Sequence, residues 1–135
     1  MQKPISRMQH GIADWLLIPV LVVLPYVVGF ADVPTARSVS WITAIAILAG
    51  VVSTRAEWGV FRFLPYRVHL MGDAALGFML MLSPWLVGFA GSPTPRNTFL
   101  ILGAAVFSAG ALLSRPEEMP DTAGSPRTSL ERLTE

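Results

Sequence analysis

The sequence predicts an all-α membrane protein, a four-helix bundle built from two parallel two-helix repeats. Three observations carry this expectation. Of 135 residues, 53% are hydrophobic and 14% charged, against about 25% charged in an ordinary soluble domain. Four charge-free runs, Trp15 to Ala31, Ser38 to Thr54, Ala74 to Pro95 and Asn97 to Ser114, are each 17 to 22 residues long, the length a helix needs to cross a bilayer. The first half of the chain also returns in the second half, displaced by 59 residues.

A soluble bundle would need a polar stripe on each helix, and the stretch from Leu76 to Ala90 has none. The first run follows Lys3 and Arg7 and ends in Gly29-Phe30-Ala31, which is also the outline of a secretory signal. Its return in the second half argues that it is retained. Lys3, Arg7, Arg55, Arg62, Arg67 and Arg115 flank the spans on one side, and Arg37 and Arg96 occupy the short loops on the other. By the positive-inside rule the chain sits in the inner (cytoplasmic) membrane with both termini cytoplasmic. The linker from Glu57 to Arg67 interleaves aromatics with arginines, which suits a connector anchored among lipid headgroups.

This divides the chain into a four-span membrane domain, 1–114, and a tail, 115–135. Repeat one covers about 10–56 and repeat two about 69–114. The tail holds 8 of the 19 charged residues and too little apolar content to fold alone. It is expected to be disordered and cytoplasmic, with a short helix near Ser129 to Leu133. A net charge of +1 leaves no footprint for nucleic acid. With no Cys, thiolate metal sites, disulfides and c-type haem are excluded.

In register, Asp14-Trp-Leu-Leu and Leu24-Pro-Tyr-Val-Val-Gly-Phe-Ala31 fall on Asp73-Ala-Ala-Leu and Ser83-Pro-Trp-Leu-Val-Gly-Phe-Ala90. Each unit holds two spans, so the units run in the same direction and equivalent residues share a depth. The segment Asp73-x-x-Leu76-Gly77 followed by Ser83-Pro84-Trp85-x-x-Gly88-Phe89 resembles the SPW repeat family of small prokaryotic integral membrane proteins. The first unit is similar, with Leu24 for Ser and Tyr26 for Trp. The resemblance covers about the first 114 residues and implies membrane location and paired-helix repeats; it brings no activity, ligand or catalytic residue.

The motif residues Pro25, Tyr26, Gly29, Phe30, Ser83, Pro84, Trp85, Gly88 and Phe89 have a structural reading. Pro84 frees the carbonyl of Leu80, and the Ser83 hydroxyl can re-satisfy local backbone. Tyr26 and Trp85 suit the extracytoplasmic interface. Gly29 and Gly88 stand where a helix ends with positive φ.

The polar candidates are His10, Asp14, His69 and Asp73. Each His precedes its Asp by four, which places the pair on one helical face. His10, Asp14, Leu17, Leu21, Pro25 and Val28 recur as His69, Asp73, Leu76, Leu80, Pro84 and Val87, and at about 100° per residue they fill an arc of about 80°. A face kept in both units is the natural seam between helices 1 and 3. The polar pairs then meet at the cytoplasmic end of that seam, where the aspartates serve as caps near positive helix ends and His-Asp hydrogen bonds fix the repeats together, or the four side chains form a ligand or proton site, as metal ligands through N and O or as carboxylates sharing a proton. The metal, if any, is left unassigned.

The pairs Ala46/Gly50, Ala104/Ser108 and Ala105/Ala109 let helices approach closely, within one chain or between copies. No plausible nucleophile has a base beside it, and there is no Gly-rich phosphate loop and no two-His motif with a third ligand on the same helix, so an enzyme is not expected and no cofactor is implied. The reading is a structural or accessory membrane module whose partners are the bilayer and either a second copy or another membrane protein. The alternative is a small proton- or cation-coupled transporter or metal-binding membrane protein using the His-x-x-x-Asp pairs.

Overall fold

The first helix begins where Ser6 and Gln9 close a reciprocal cap, the Ser6 hydroxyl accepting from the Gln9 amide and the Gln9 side chain from the Ser6 amide. The computed structural model describes residues 2–120. It holds α1 (Arg7–Val28), α2 (Pro34–Ser53), α3 (Tyr66–Leu86) and α4 (Pro93–Ser108), which runs on into a π-helical turn, Ala109–Leu113. No strand lies among the described residues; two isolated backbone bridges, Ile5 with Ser114 and Thr54 with Leu64, join the ends of the units. The helices pair as α1 with α2 and α3 with α4, and α2 also touches α3.

α1, α2 and the continuous stretch Pro93–Leu113 are long and apolar enough to cross a membrane. α3 equals them in length but carries Arg67, His69 and Asp73 in its first turns. The helices also start earlier than the charge-free runs that announced them. The run Ala74 to Pro95 is not one helix: α3 ends at Leu86 and α4 begins at Pro93. The reason is physical, since the first turns of α1 and α3 hold buried polar side chains that a search for charge-free residues leaves out. Outward side chains are bare hydrocarbon, with Leu16 63%, Val27 78% and Ile101 73% exposed, as a surface solvated by lipid tails requires.

The two units repeat each other in detail. α1 and α3 both turn out of the helix through a left-handed glycine, Gly29 at φ 85° and Gly88 at φ 82°, and the next amides, Phe30 and Phe89, close back on Pro25 O and Pro84 O at 2.8 and 2.9 Å. Arg37 and Arg96 hold the carbonyls of Ala31 and Ala90. Phe30 and Phe89 then fold inward onto Phe99 and, with Ala36 and Leu80, form a buried cluster at this end. Tyr26 and Trp85 stay on the outer surface.

The prolines show how the departure in repeat one is repaired. Pro84 frees the carbonyl of Leu80, and the Ser83 hydroxyl donates to that oxygen at 2.7 Å, as expected. Pro25 frees the carbonyl of Leu21, Leu24 has no hydroxyl to offer, and Ser40 from α2 donates instead at 2.6 Å. At the position equivalent to Ser40 the second unit has Phe99. One hydroxyl per kink is kept, from a different helix.

α3 meets α4 by backbone approach. A Cβ on Gly77 would stand 2.3 Å from the Phe107 nitrogen, and one on Gly103 would stand 2.6 Å from the Gly77 carbonyl oxygen. The close approach therefore uses Gly77 and Gly103, not the small-residue pairs singled out above: Ala46, Ala104 and Ala105 are exposed and their partners only half-buried.

The π turn adds one residue and moves the register from 59 to 60. Thr54 and Ser114 are equivalent, both fully buried and both in end bridges; Arg55 N donates to Leu64 O and Arg115 N to Ile5 O. The correspondence continues past residue 114. Trp58 lies over the first turn of α1, and Glu118 accepts from the amides of Tyr66 and Arg67 at 2.9 Å, capping α3. The expectation of a disordered tail from 115 onward is thus corrected at its start: residues 115–118 are held by Ile5, Lys3, Arg7, Tyr66 and Arg67. A free terminus is disfavoured here because Glu118 satisfies two of the amides that any helix start leaves open. The expected helix near Ser129 to Leu133 lies outside the described residues.

Candidate functional site

His10 and Asp14 stand one turn apart on the inward face of α1, and His69 and Asp73 stand likewise on α3. All four are buried. The helices bring them into one ring. His10 Nε2 lies 2.8 Å from Asp73 Oδ2 and 3.2 Å from Asp14 Oδ2. His69 Nε2 lies 3.0 Å from Asp14 Oδ2 and 3.2 Å from Asp73 Oδ2. The shorter contact of each imidazole is to the aspartate of the other repeat. The spacing of four thus aligns each pair on a face, while the hydrogen bonds cross between units.

This corrects the capping expectation. α1 is capped by Ser6 and α3 by Glu118; Asp14 and Asp73 lie seven residues past the first residue of each helix, where backbone amides already bond within the helix. The seam itself holds over most of its length. Leu21, Pro25, Leu80 and Pro84 are buried, Leu17 and Leu76 pack on the Leu21 cluster, and only Val28 and Val87 leave it. α1 and α3 meet there through side chains and not by backbone approach.

Three further residues enclose the ring. Ser114 Oγ lies 2.7 Å from His10 Nδ1. Tyr66 stacks nearly parallel to His69, at 19° and 6.1 Å between ring centres, and its buried hydroxyl has no hydrogen-bond partner among the described residues. Trp58 lies 5.4 Å from the His69 ring and donates Nε1 to the Arg7 carbonyl. The indole has room only because residue 11 is glycine: a Cβ there would stand 2.1 Å from Trp58 Nε1. The sequence reading missed all three residues. Ser114 was hidden by the extra residue of the π turn, and Trp58 reads as a headgroup anchor among its aromatic neighbours.

On the opposite side the ring opens. A groove of about 230 Å³ between α1 and α4 has His10, Asp14 and Asp73 on its floor and Leu17, Leu102 and Val106 in its walls. The aspartate side chains keep 12% and 11% exposure and the imidazoles 2%, so the carboxylates face the opening.

Ser114, His10 and Asp73 also stand in the order nucleophile, base, orienting acid, which corrects the expectation that no nucleophile has a base beside it. Ser114 is fully buried beneath the end bridge.

Fold and site together define a membrane-embedded helical bundle of two fused copies, with one shared polar centre. The chain belongs to the SPW repeat family: the SPW repeat domain matches it over residues 8–113. No curated protein and no solved structure matches it significantly.

Proposed function

We propose that this chain is a non-enzymatic structural or accessory module of the cytoplasmic membrane, with both termini cytoplasmic, that self-associates or joins another membrane protein. The carrying observation is that the two units are tied to each other by the two N···O contacts of the ring that cross between them, His10 to Asp73 at 2.8 Å and His69 to Asp14 at 3.0 Å. Buried polar groups in lipid must be satisfied inside the protein, and here each unit satisfies the other. The orientation is supported by six cationic residues at the ring end, Lys3, Arg7, Arg55, Arg62, Arg67 and Arg115, against Arg37 and Arg96 at the Gly-Phe end. Small loops leave the lipid-facing helices and the ring end as the surfaces a partner can reach.

A second reading, a proton- or cation-coupled transporter, is favoured by the carboxylates on the groove floor. It requires a polar path to both sides, and the groove walls are apolar beyond the ring. Crosslinking in native membranes is expected to give a species larger than one chain. Asp14→Asn combined with Asp73→Asn is expected to lower thermal stability and leave proteoliposome cation flux at background. A chain that crosslinks to nothing, or a flux that those changes abolish, overturns the first reading.

A further inference from the structure

We propose that His10, Asp14, His69 and Asp73 together bind one divalent transition-metal ion, of which zinc is the type. The inference goes beyond the accessory role and does not depend on it, because a tie between repeats works with or without an ion.

Geometry comes first. The two Nε2 and two Oδ2 atoms alternate around a ring with edges of 2.8, 3.0, 3.2 and 3.2 Å, and the ligand atoms all lie within 4.8 Å of one another. Donors 2.8–3.2 Å from their ring neighbours and all within 4.8 Å of one another are close enough to share a single ion, zinc being bound by imidazole nitrogen and carboxylate oxygen at about 2.0–2.2 Å. The four donors therefore surround one space between α1 and α3.

Charge and donor type point the same way. With an ion bound, two carboxylates and two neutral imidazoles form a ligand set of −2, which a divalent ion cancels in place of the two Nε2 protons it displaces, so the buried centre avoids an uncompensated charge. Two nitrogens among four donors suit zinc and its transition-metal neighbours over calcium and magnesium, which take oxygen ligands in larger number.

The surroundings complete the site. Ligating imidazoles typically donate their second N–H to an acceptor that fixes the tautomer; the Ser114 oxygen, 2.7 Å from His10 Nδ1, is placed to do so, leaving Nε2 to face the ion. Tyr66 and Trp58 close one side of the ring, and the α1–α4 groove leaves the carboxylates open on the other. That groove supplies the route for the ion and for protons displaced from Nε2 when it binds.

The test uses the full chain, purified in detergent without a polyhistidine tag, incubated with zinc chloride and desalted. Elemental analysis is expected to find about one zinc per chain in the native protein and about a tenth of that or less in Asp14→Asn with Asp73→Asn. Ser114→Ala, a positioning change, is expected to weaken zinc about ten-fold while leaving one site per chain. X-ray absorption at the zinc edge of the native protein is expected to show two imidazoles and oxygen ligands, and this measurement stands even if the double variant does not fold. Native protein that emerges with no zinc, a folded double variant that keeps one, or a spectrum without imidazole overturns the proposal.

Discussion

The Leu21 and Leu80 carbonyls are a matched experiment within one chain. Both are freed by a proline one turn later, and both accept a hydroxyl, from Ser40 in one unit and from Ser83 in the other. Leaving a buried acceptor unmet costs about 1–3 kcal/mol, so Ser40→Ala and Ser83→Ala should each lower thermal stability in detergent by that order. Adding Leu24→Ser to Ser40→Ala should recover part of the loss, because it restores the arrangement of the second unit. The role of Ser83 was legible in sequence, since the freed carbonyl lies a fixed three residues back. That of Ser40 was not, because a hydroxyl on a neighbouring helix has no fixed spacing to the proline it serves.

Glu57 gives a pH test at the same scale. Its hydrogen bonds to the Arg7 guanidinium pull the carboxyl from 4.5 to about 2. A carboxyl depressed on folding stabilises the folded state above its unfolded pKa and loses that contribution as pH falls through the folded value. Thermal midpoints should therefore decline between about pH 4.5 and about 2 through this pair, and Glu57→Gln should flatten that part of the profile. The effect is modest because the pair is solvent-exposed and screened.

At the scale of elements, the contact between α3 and α4 depends on missing side chains. Gly77→Ala or Gly103→Ala inserts a Cβ within 3 Å of opposing backbone, which cannot retreat as a flexible side chain would. A loss of about 1–3 kcal/mol is expected by analogy with overpacked cores, with a lowered melting temperature as the readout. The π turn can be tested by removing its extra residue. Deleting Ala111 should return the last turn to α-helical register and withdraw Ser114 from His10, which the nitrogen chemical shifts of the His10 ring would report. The helices were legible from hydropathy, yet their starts were misjudged by a turn or more, because hydropathy discards the polar residues this protein buries. The π turn left no mark in the sequence comparison, since one inserted residue after Ser108 looks like the repeat fading out.

At the scale of the molecule, what the sequence exposed was the symmetry, and the symmetry located the candidate site. Residues identical in both units lie on one face of α1 and α3, and that face carries His10, Asp14, His69 and Asp73 to a common centre. That the two pairs meet at the seam was legible from the shared face; that each imidazole bonds more closely to the aspartate of the other unit was not, because intrahelical spacing describes one unit and the bonds belong to the pair. The extent of the second unit was misjudged as well. Lys3, Arg7 and the first amides of α3 recruit residues 115–118, a charged segment whose composition alone suggested solvent. Truncation after Ser114 is therefore expected to destabilise the bundle by uncapping α3, at about 1 kcal/mol for the cap, measurable as a lowered melting temperature against the full chain.

The two end bridges have a topological meaning. The end of the first unit pairs with the start of the second through Thr54 and Leu64, and the end of the second pairs with the start of the first through Ile5 and Ser114. The polypeptide is a closed necklace of two beads with one link left uncut, between residues 54 and 64. A single bead of this kind needs a second to supply its cross-unit aspartate, and here both are carried by one polypeptide. The two beads are not identical: the second has both the serine of its kink and the extra residue of the π turn, which sets Ser114 on His10, and the first has neither.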